Sequence, residues 1–160
     1  MNYTQNTSSL EAQSDEQLIS AAQANSEAFA ELYNKYVDKI FRYIYYHTNR
    51  DKDTAEDLTT EVFTRALKAL PKFKWQGHPY SSYLYQVART VCQDFYGHKQ
   101  HINIDNVEYK LGENETLSKK SDLLILWERI KQMKPPIPEV FELRYLEDLP
   151  YEEISKIVGK

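Results

Sequence analysis

Between Phe29 and Tyr45, apolar side chains recur at steps of three and four: Phe29, Leu32, Tyr33, Tyr36, Val37, Ile40, Phe41, Ile44 and Tyr45. This is the period of an α-helix with one buried face, not the alternation of a strand. A stripe of this length covers about five helical turns. Each large side chain buried along it contributes roughly 1.5–3 kcal/mol, so the helix is expected to anchor a helical core.

The rest of the chain reads as further helices around that anchor. Ser14 and Gln17 have the spacing of a capping box, which predicts a short helix from about Asp15 with Leu18, Ile19, Ala21 and Ala22 on its apolar side. Asn25 and Ser26 interrupt it and can cap the next helix. After a turn at 49–52, Asp53 as cap and Glu56 as a first-turn acid predict a third helix through Leu70. Ala55, Leu58, Val62, Ala66 and Leu70 point inward along it, and Pro71 stops it. Residues 71–80, with two prolines and a glycine, read as a loop. Ser81 or Ser82 is expected to cap a fourth helix with Leu84, Val87, Ala88, Val91, Cys92 and Phe95 as its apolar stripe. Its opposite side carries Tyr85, Arg89, Gln93 and Tyr96.

Residues 100–120 are mostly polar and read as a flexible linker, with a weak strand-like stretch at 102–104. Ser121 is expected to cap a fifth helix with Leu123, Leu126, Trp127, Ile130 and Met133 on one face. Pro138 suits the first turn of a sixth, running to about Leu146. A last helix from about Tyr151 uses Ile154, Ile157 and Val158. The expected architecture is all-α: a disordered tail at 1–13, a four-helix N-terminal domain at 14–99, the linker at 100–120 and a three-helix C-terminal domain at 121–160.

Composition narrows the function. The lone cysteine, Cys92, rules out an intramolecular disulfide framework and sits in an apolar pattern, which predicts a buried packing role. With only 4 glycines, neither a dinucleotide-binding fold nor a turn-rich β fold is favoured. No basic and apolar leader and no run of membrane-spanning length is found, so the expected location is cytoplasmic. The net charge of −4 counts against simple non-specific DNA binding. Its distribution is uneven: residues 51–61 carry five acids and one lysine, while 72–100 carry four bases and one acid. The 13 tyrosines can be amphipathic core fillers or faces on which bases stack.

Three stretches carry chemistry. Glu56, Asp57, Thr60 and Glu61 form an acidic helix face suited either to solvent or to a basic protein surface. In the loop, Lys72 and Lys74 alternate with Phe73 and Trp75, and Tyr80 closes the segment. Lysines hold phosphate while a ring stacks a base, or the rings fold back onto the core. Along the fourth helix, Arg89 suits either a phosphate or a carboxylate such as Glu56 or Asp57. Asp94, His98 and His101 have helical-ligand spacing, but zinc needs a fourth ligand and Gly97 loosens the helix there, so no metal is expected. No nucleophile–base–acid set or phosphate-cradling glycine loop stands out, and neither catalysis nor a cofactor is expected.

Ordered along the chain, these residues resemble a known family. Ala55-Glu-Asp-Leu-Thr-Thr-Glu-Val-Phe63 resembles the clamp-docking helix of region 2 of the sigma-70 family, where Thr60 replaces the usual glutamine. Phe29-Ala-Glu-Leu-Tyr33 through Tyr36 is similar to the opening helix of extracytoplasmic-function (ECF) members. Ser82-Tyr-Leu-Tyr-Gln-Val-Ala-Arg89 resembles the promoter-facing helix, with Tyr83 for the usual tryptophan, Gln86 for arginine and Thr90 for asparagine. Residues 145–159 look like the start of region 4, and the sequence ends at Lys160, before the recognition helix of a helix-turn-helix.

The resemblance implies a sigma factor that binds core RNA polymerase and directs promoter recognition and melting, performing no covalent chemistry itself. It implies that Glu56, Asp57, Thr60 and Glu61 meet the beta-prime clamp. It further implies that Lys72, Lys74, Trp75, Tyr80, Tyr83, Tyr85, Arg89, Gln93 and Lys99 face promoter DNA, with an unstacked base of the non-template strand of the −10 element held at the loop. An anti-sigma factor is a partner that the family admits and the sequence does not specify. Two alternatives stand beside this reading. One is a polymerase-binding regulator that no longer initiates transcription, which the changes at Gln86 and Thr90 would suit. The other is a helical protein-interaction module with no nucleic-acid role.

Overall fold

A computed structural model of the chain describes residues 14–97 and 117–159, with side chains of the second stretch described from residue 122. The expected tail at 1–13, the strand-like stretch at 102–104, Lys99 and both His98 and His101 lie outside the described residues. All regular elements among the described residues are helical, in agreement with the all-α expectation.

Helix α1 spans Asp15–Ala24 and opens with the reciprocal capping box of Ser14 and Gln17. Asn25 accepts from the Glu27 N–H and starts a single 3-10 turn, Ser26–Ala28, which runs into α2, Phe29–His47. The stripe that opened the sequence behaves as its period demands. Phe29, Leu32, Tyr36, Ile40 and Ile44 are buried, while Tyr33 lies at its edge with 41% of its surface exposed.

Helix α3 spans Lys52–Ala69 and continues as a 3-10 turn over Leu70–Lys72. Its cap is Asp51 rather than the expected Asp53: the Asp51 carboxylate accepts from the N–H and the hydroxyl of Thr54. Those bonds hold Asp51 below the ordinary carboxylate range. Thr59 joins the buried face because its hydroxyl donates to the Ala55 carbonyl, which disposes of the polar group within the helix.

Helix α4 spans Tyr80–Tyr96. Neither Ser81 nor Ser82 caps it; both lie buried in its first turn. The capping role falls to Asp15 of α1, whose carboxylate accepts from the Tyr80 N–H at 2.8 Å and also meets Lys35 and the Tyr36 hydroxyl. An acid at a helix N-terminus satisfies an orphan donor and complements the dipole. The same helix α1 holds the other end of the loop: the Gln23 amide donates to the carbonyls of Leu70 and Phe73. Cys92 is fully buried, and burial pushes its thiol up to about 12. Phe95, expected in the stripe, is instead 52% exposed near the end of α4.

Helix α5 spans Leu117–Ile130, and so begins before the Ser121 expected to cap it. Only part of its expected face is buried: Trp127 and Ile130 are covered, whereas Leu123, Leu126 and Met133 are exposed. Helix α6, Ile137–Phe141, passes into a π-helical turn at Glu142–Leu146. Helix α7, Tyr151–Val158, ends on Gly159, whose φ of 77° suits a residue without a Cβ.

Helices α1 to α4 pack into the N-terminal bundle. The C-terminal helices do not stand apart from it. Leu143, Leu149, Ile154 and Ile157 belong to the same buried cluster as Leu84, Ala88 and Val91, with α7 lying against α4.

Candidate functional site

The acidic face of α3 is fully presented. Glu56, Asp57, Thr60 and Glu61 are all exposed on a helix whose other side is anchored by Ala55, Val62, Phe63 and Ala66. The carboxylates differ in their company. Glu61 accepts from Arg65 at 2.7 Å, and Arg65 also reaches Asp94 at 3.1 Å; these two acids raise the Arg65 guanidinium pKa. Glu56 lies 3.7 Å from Lys52, and its carbonyl accepts from Thr60. Among the described residues no group pairs with Asp57. Arg89 therefore does not take Glu56 or Asp57 as its partner.

The loop between α3 and α4 borders an open cavity of about 520 Å³. Lys72, Phe73, Lys74, His78 and Tyr83 line it, and Lys156 of α7 reaches it from the C-terminal helices. Lys72 and Lys74 are exposed. Trp75 is half-buried against the core, and Phe73 packs edge-on to Tyr80 at 5.2 Å and tilted to Tyr83 at 5.0 Å. One side of the aromatic group supports the fold, while the lysines and part of Tyr83 remain open to the cavity. Tyr80 itself is only 1% exposed, and burial raises its hydroxyl well above the ordinary phenol value. It supports the loop from within and presents no face to solvent.

The row expected to be the polar side of α4 is covered. Tyr85 is 1% exposed and packs against Tyr43, and its hydroxyl donates to Glu147 at 2.7 Å. Arg89 donates through Nε to Glu139 at 2.6 Å. Gln93 and Tyr96 are half-buried, and the Tyr96 hydroxyl donates to the His47 carbonyl. Helical spacing correctly put these side chains on one face. Spacing alone does not reveal that the face is a packing surface, because the partners of Tyr85 and Arg89 lie 62 and 50 residues further on and that of Tyr96 lies 49 residues back.

Across this seam runs a set of side-chain pairs, two of them arginine–glutamate ion pairs, that no local motif announces. Besides Arg89–Glu139, the pairs are Arg42–Glu147 at 2.7 Å, His47 Nε2 with Glu142 Oε1 at 2.7 Å and His78 Nδ1 with Glu153 Oε1 at 2.5 Å. Burial raises the Glu139 carboxyl above its ordinary value, and the neighbouring Arg89 offsets this only in part. The one sequence signal for these acids is their position: Glu139 precedes Val140, Glu142 precedes Leu143 and Glu153 precedes Ile154, on faces otherwise apolar.

No group of three or more metal-ligating side chains occurs among the described residues. None of their helices is long and apolar enough to cross a membrane.

The family model described as Sigma-70 region 2 matches residues 32–102. A Streptomyces coelicolor protein named ECF RNA polymerase sigma factor BldN is 32% identical over 154 residues, which span 90% of this chain.

The chain belongs to the ECF sigma-70 family.

It covers 57% of the length of that Streptomyces relative. Two Bacillus subtilis sigma factors are matched over 80% of their own lengths: ECF RNA polymerase sigma factor SigM at 29% identity and RNA polymerase sigma factor YlaC at 26%. They align with 81% and 83% of this chain. A chain in a solved RsbN–BldN complex is 31% identical, with 89% of this chain and 84% of that one covered and a TM-score of 0.43. All the expected site residues, from Glu56 to Lys99, fall inside the stretch that matches sigma-70 region 2. Sigma factors are, in general, not enzymes.

Proposed function

We propose that this ECF sigma-70 family member binds core RNA polymerase and directs promoter recognition and strand opening in the cytoplasm. The observation that carries the reading is the exposed ridge of Glu56, Asp57, Thr60 and Glu61 on a rigidly packed helix inside the sigma-70 region 2 match. Such a ridge complements a basic partner surface and steers association. The partner surface is the beta-prime clamp.

Docking there brings the neighbouring loop to DNA. Lys72 and Lys74 hold backbone phosphates at the mouth of the cavity, while Trp75 and Tyr83 offer ring surface to an unstacked base of the −10 element. Extruding a base costs a few kcal/mol, and stacking on an aromatic side chain returns roughly 1–3 kcal/mol per base. Polymerase supplies the remaining contacts. Arg89, Tyr85 and Gln93 extend the DNA-facing surface along α4 when the seam with the C-terminal helices is open. An anti-sigma factor would act by blocking either surface.

The test is co-elution of the purified chain with core polymerase at low ionic strength, followed by run-off transcription. A well-folded chain that does not associate with core removes the basis of the reading. A Trp75→Ala variant that captures single-stranded −10 DNA as well as the parent holoenzyme would confine Trp75 to packing.

A further inference from the structure

We propose that Gln23 of α1 is a positioning residue for promoter capture. It touches no DNA itself; it holds the loop that carries Lys72, Phe73 and Lys74 in the shape that receives an unpaired strand. This rests on the sigma-factor reading above and names how the same site is built.

The bonding pattern is the first observation. The Gln23 side-chain nitrogen donates to the Leu70 carbonyl at 3.0 Å and to the Phe73 carbonyl at 2.8 Å. Carbonyl oxygens only accept, so the nitrogen end of the amide is the end that can serve both. Its two hydrogens stand at a fixed angle. One side chain therefore sets the spacing of two carbonyls three residues apart, with Lys72 between them and Lys74 directly after. The Leu70 carbonyl also accepts from the Phe73 N–H at 3.1 Å, which closes the turn from within.

The second observation is how little else shapes the loop. Among the described residues, no backbone-to-backbone hydrogen bond begins or ends between Lys74 and His78. Side chains hold the stretch instead: Gln23 at its start, Glu153 at His78 and Asp15 at the Tyr80 N–H. Asp15 and Gln23 lie on one helix, about 12 Å apart along its axis. The steps from Phe73 to Tyr80 would reach about 23–25 Å if fully extended. The loop is thus an arch with slack, and both its feet stand on α1. The Phe73 ring meets Tyr80 and Tyr83 while Gln23 holds its carbonyl, so Lys72 and Lys74 leave the arch at a defined place on the cavity wall.

The third is a division of labour within α1. Leu18, Ile19 and Ala22 are buried and dock the helix, whereas Gln23 is exposed. Replacing its amide leaves those apolar contacts in place and frees the loop. A loop that must be ordered at the moment of binding loses affinity that a preorganised one keeps.

Gln23→Met keeps the length and helix preference of the side chain and removes both donors. The probe is a short, fluorescein-labelled single-stranded DNA of randomised sequence, since phosphate contacts and ring stacking are sequence-tolerant. Holoenzyme assembled with the variant should bind it roughly three- to tenfold more weakly than parent holoenzyme, the range set by ordering one or two side chains. Affinity for core polymerase should be unchanged. In a Lys72→Ala/Lys74→Ala background the same substitution should lose most of its effect, as coupled sites do. Equal DNA binding by Gln23→Met and parent, or an equal loss in both backgrounds, overturns the proposal. If the methionine variant folds poorly, Gln23→Ala, which places the best helix former there, is read against the same two criteria. Amide exchange needs no polymerase. The Phe73 amide should exchange severalfold faster in the variant, and unchanged exchange across 70–80 overturns the positioning role. A parent chain that does not bind core defeats the sigma-factor reading alone, because the exchange measurement still decides whether Gln23 shapes the loop.

Discussion

Asp15 ties three helices at one carboxylate: it meets Lys35 and Tyr36 of α2 and caps α4 through the Tyr80 N–H. Asp15→Ala leaves a buried hydroxyl, a helix-start amide and a half-buried ammonium without their acceptor. The expected cost is about 2–4 kcal/mol in denaturant unfolding. Burial works against the charged form of Asp15, but the hydrogen bonds from Lys35, Tyr36 and Tyr80 outweigh it and hold its pKa below 3.8. A depressed carboxylate stabilises the fold above its unfolded value, and that contribution disappears as pH falls through the native value. Glu139 has the opposite sign. Its burial raises the native value above 4.5, so folding favours the protonated form and stability gains as pH falls toward 4.5. Stability measured against pH should therefore lose its mildly acidic gain in Glu139→Gln, and lose part of its drop below 3.8 in Asp15→Ala.

At the scale of the element, α3 carries the strongest prediction. Reversing Asp57 and Glu61 to lysine should abolish co-elution with core polymerase while leaving far-ultraviolet circular dichroism unchanged, because both residues are exposed. Surface changes of this kind usually cost within about 0.5 kcal/mol. Helices were largely legible from sequence because burial imposes the 3.6-residue period wherever one face is covered: Phe29 to Ile44 and Leu84 to Cys92 follow it. Caps were legible when they were local, as with Ser14 and Gln17, and illegible when they came from afar. Asp15 and Gln23 organise the two ends of the loop from α1, over separations of 65 and about 50 residues. The site was legible in the same measure. The acid ridge and the lysines at 72 and 74 are exposed as the pattern implies, whereas Tyr80 and Tyr85 look amphipathic in sequence and lie buried. The acids that cover Arg89 and Tyr85 could not be assigned a partner by spacing, because the pairing is set by tertiary packing alone.

For the whole molecule, the shared core makes the C-terminal helices part of one cooperative unit. Leu143 is fully buried within the cluster that also holds Leu84 and Val91. Leu143→Ala should cost about 2–5 kcal/mol. Tyrosine fluorescence and circular dichroism should still report coincident transitions, and separate melting of the two halves would contradict the common core.

Cys92 turns that common core into a built-in clock. It is the chain's only thiol, it is fully shielded on α4, and with its pKa pushed up to about 12 it holds almost no thiolate at neutral pH. An alkylating reagent added to the unaltered protein consequently waits for α4 to be uncovered, and each covalent adduct counts one such excursion. Mass spectrometry over time would then read how often the interior breathes, with no label to install and no second sulfhydryl to confuse the trace.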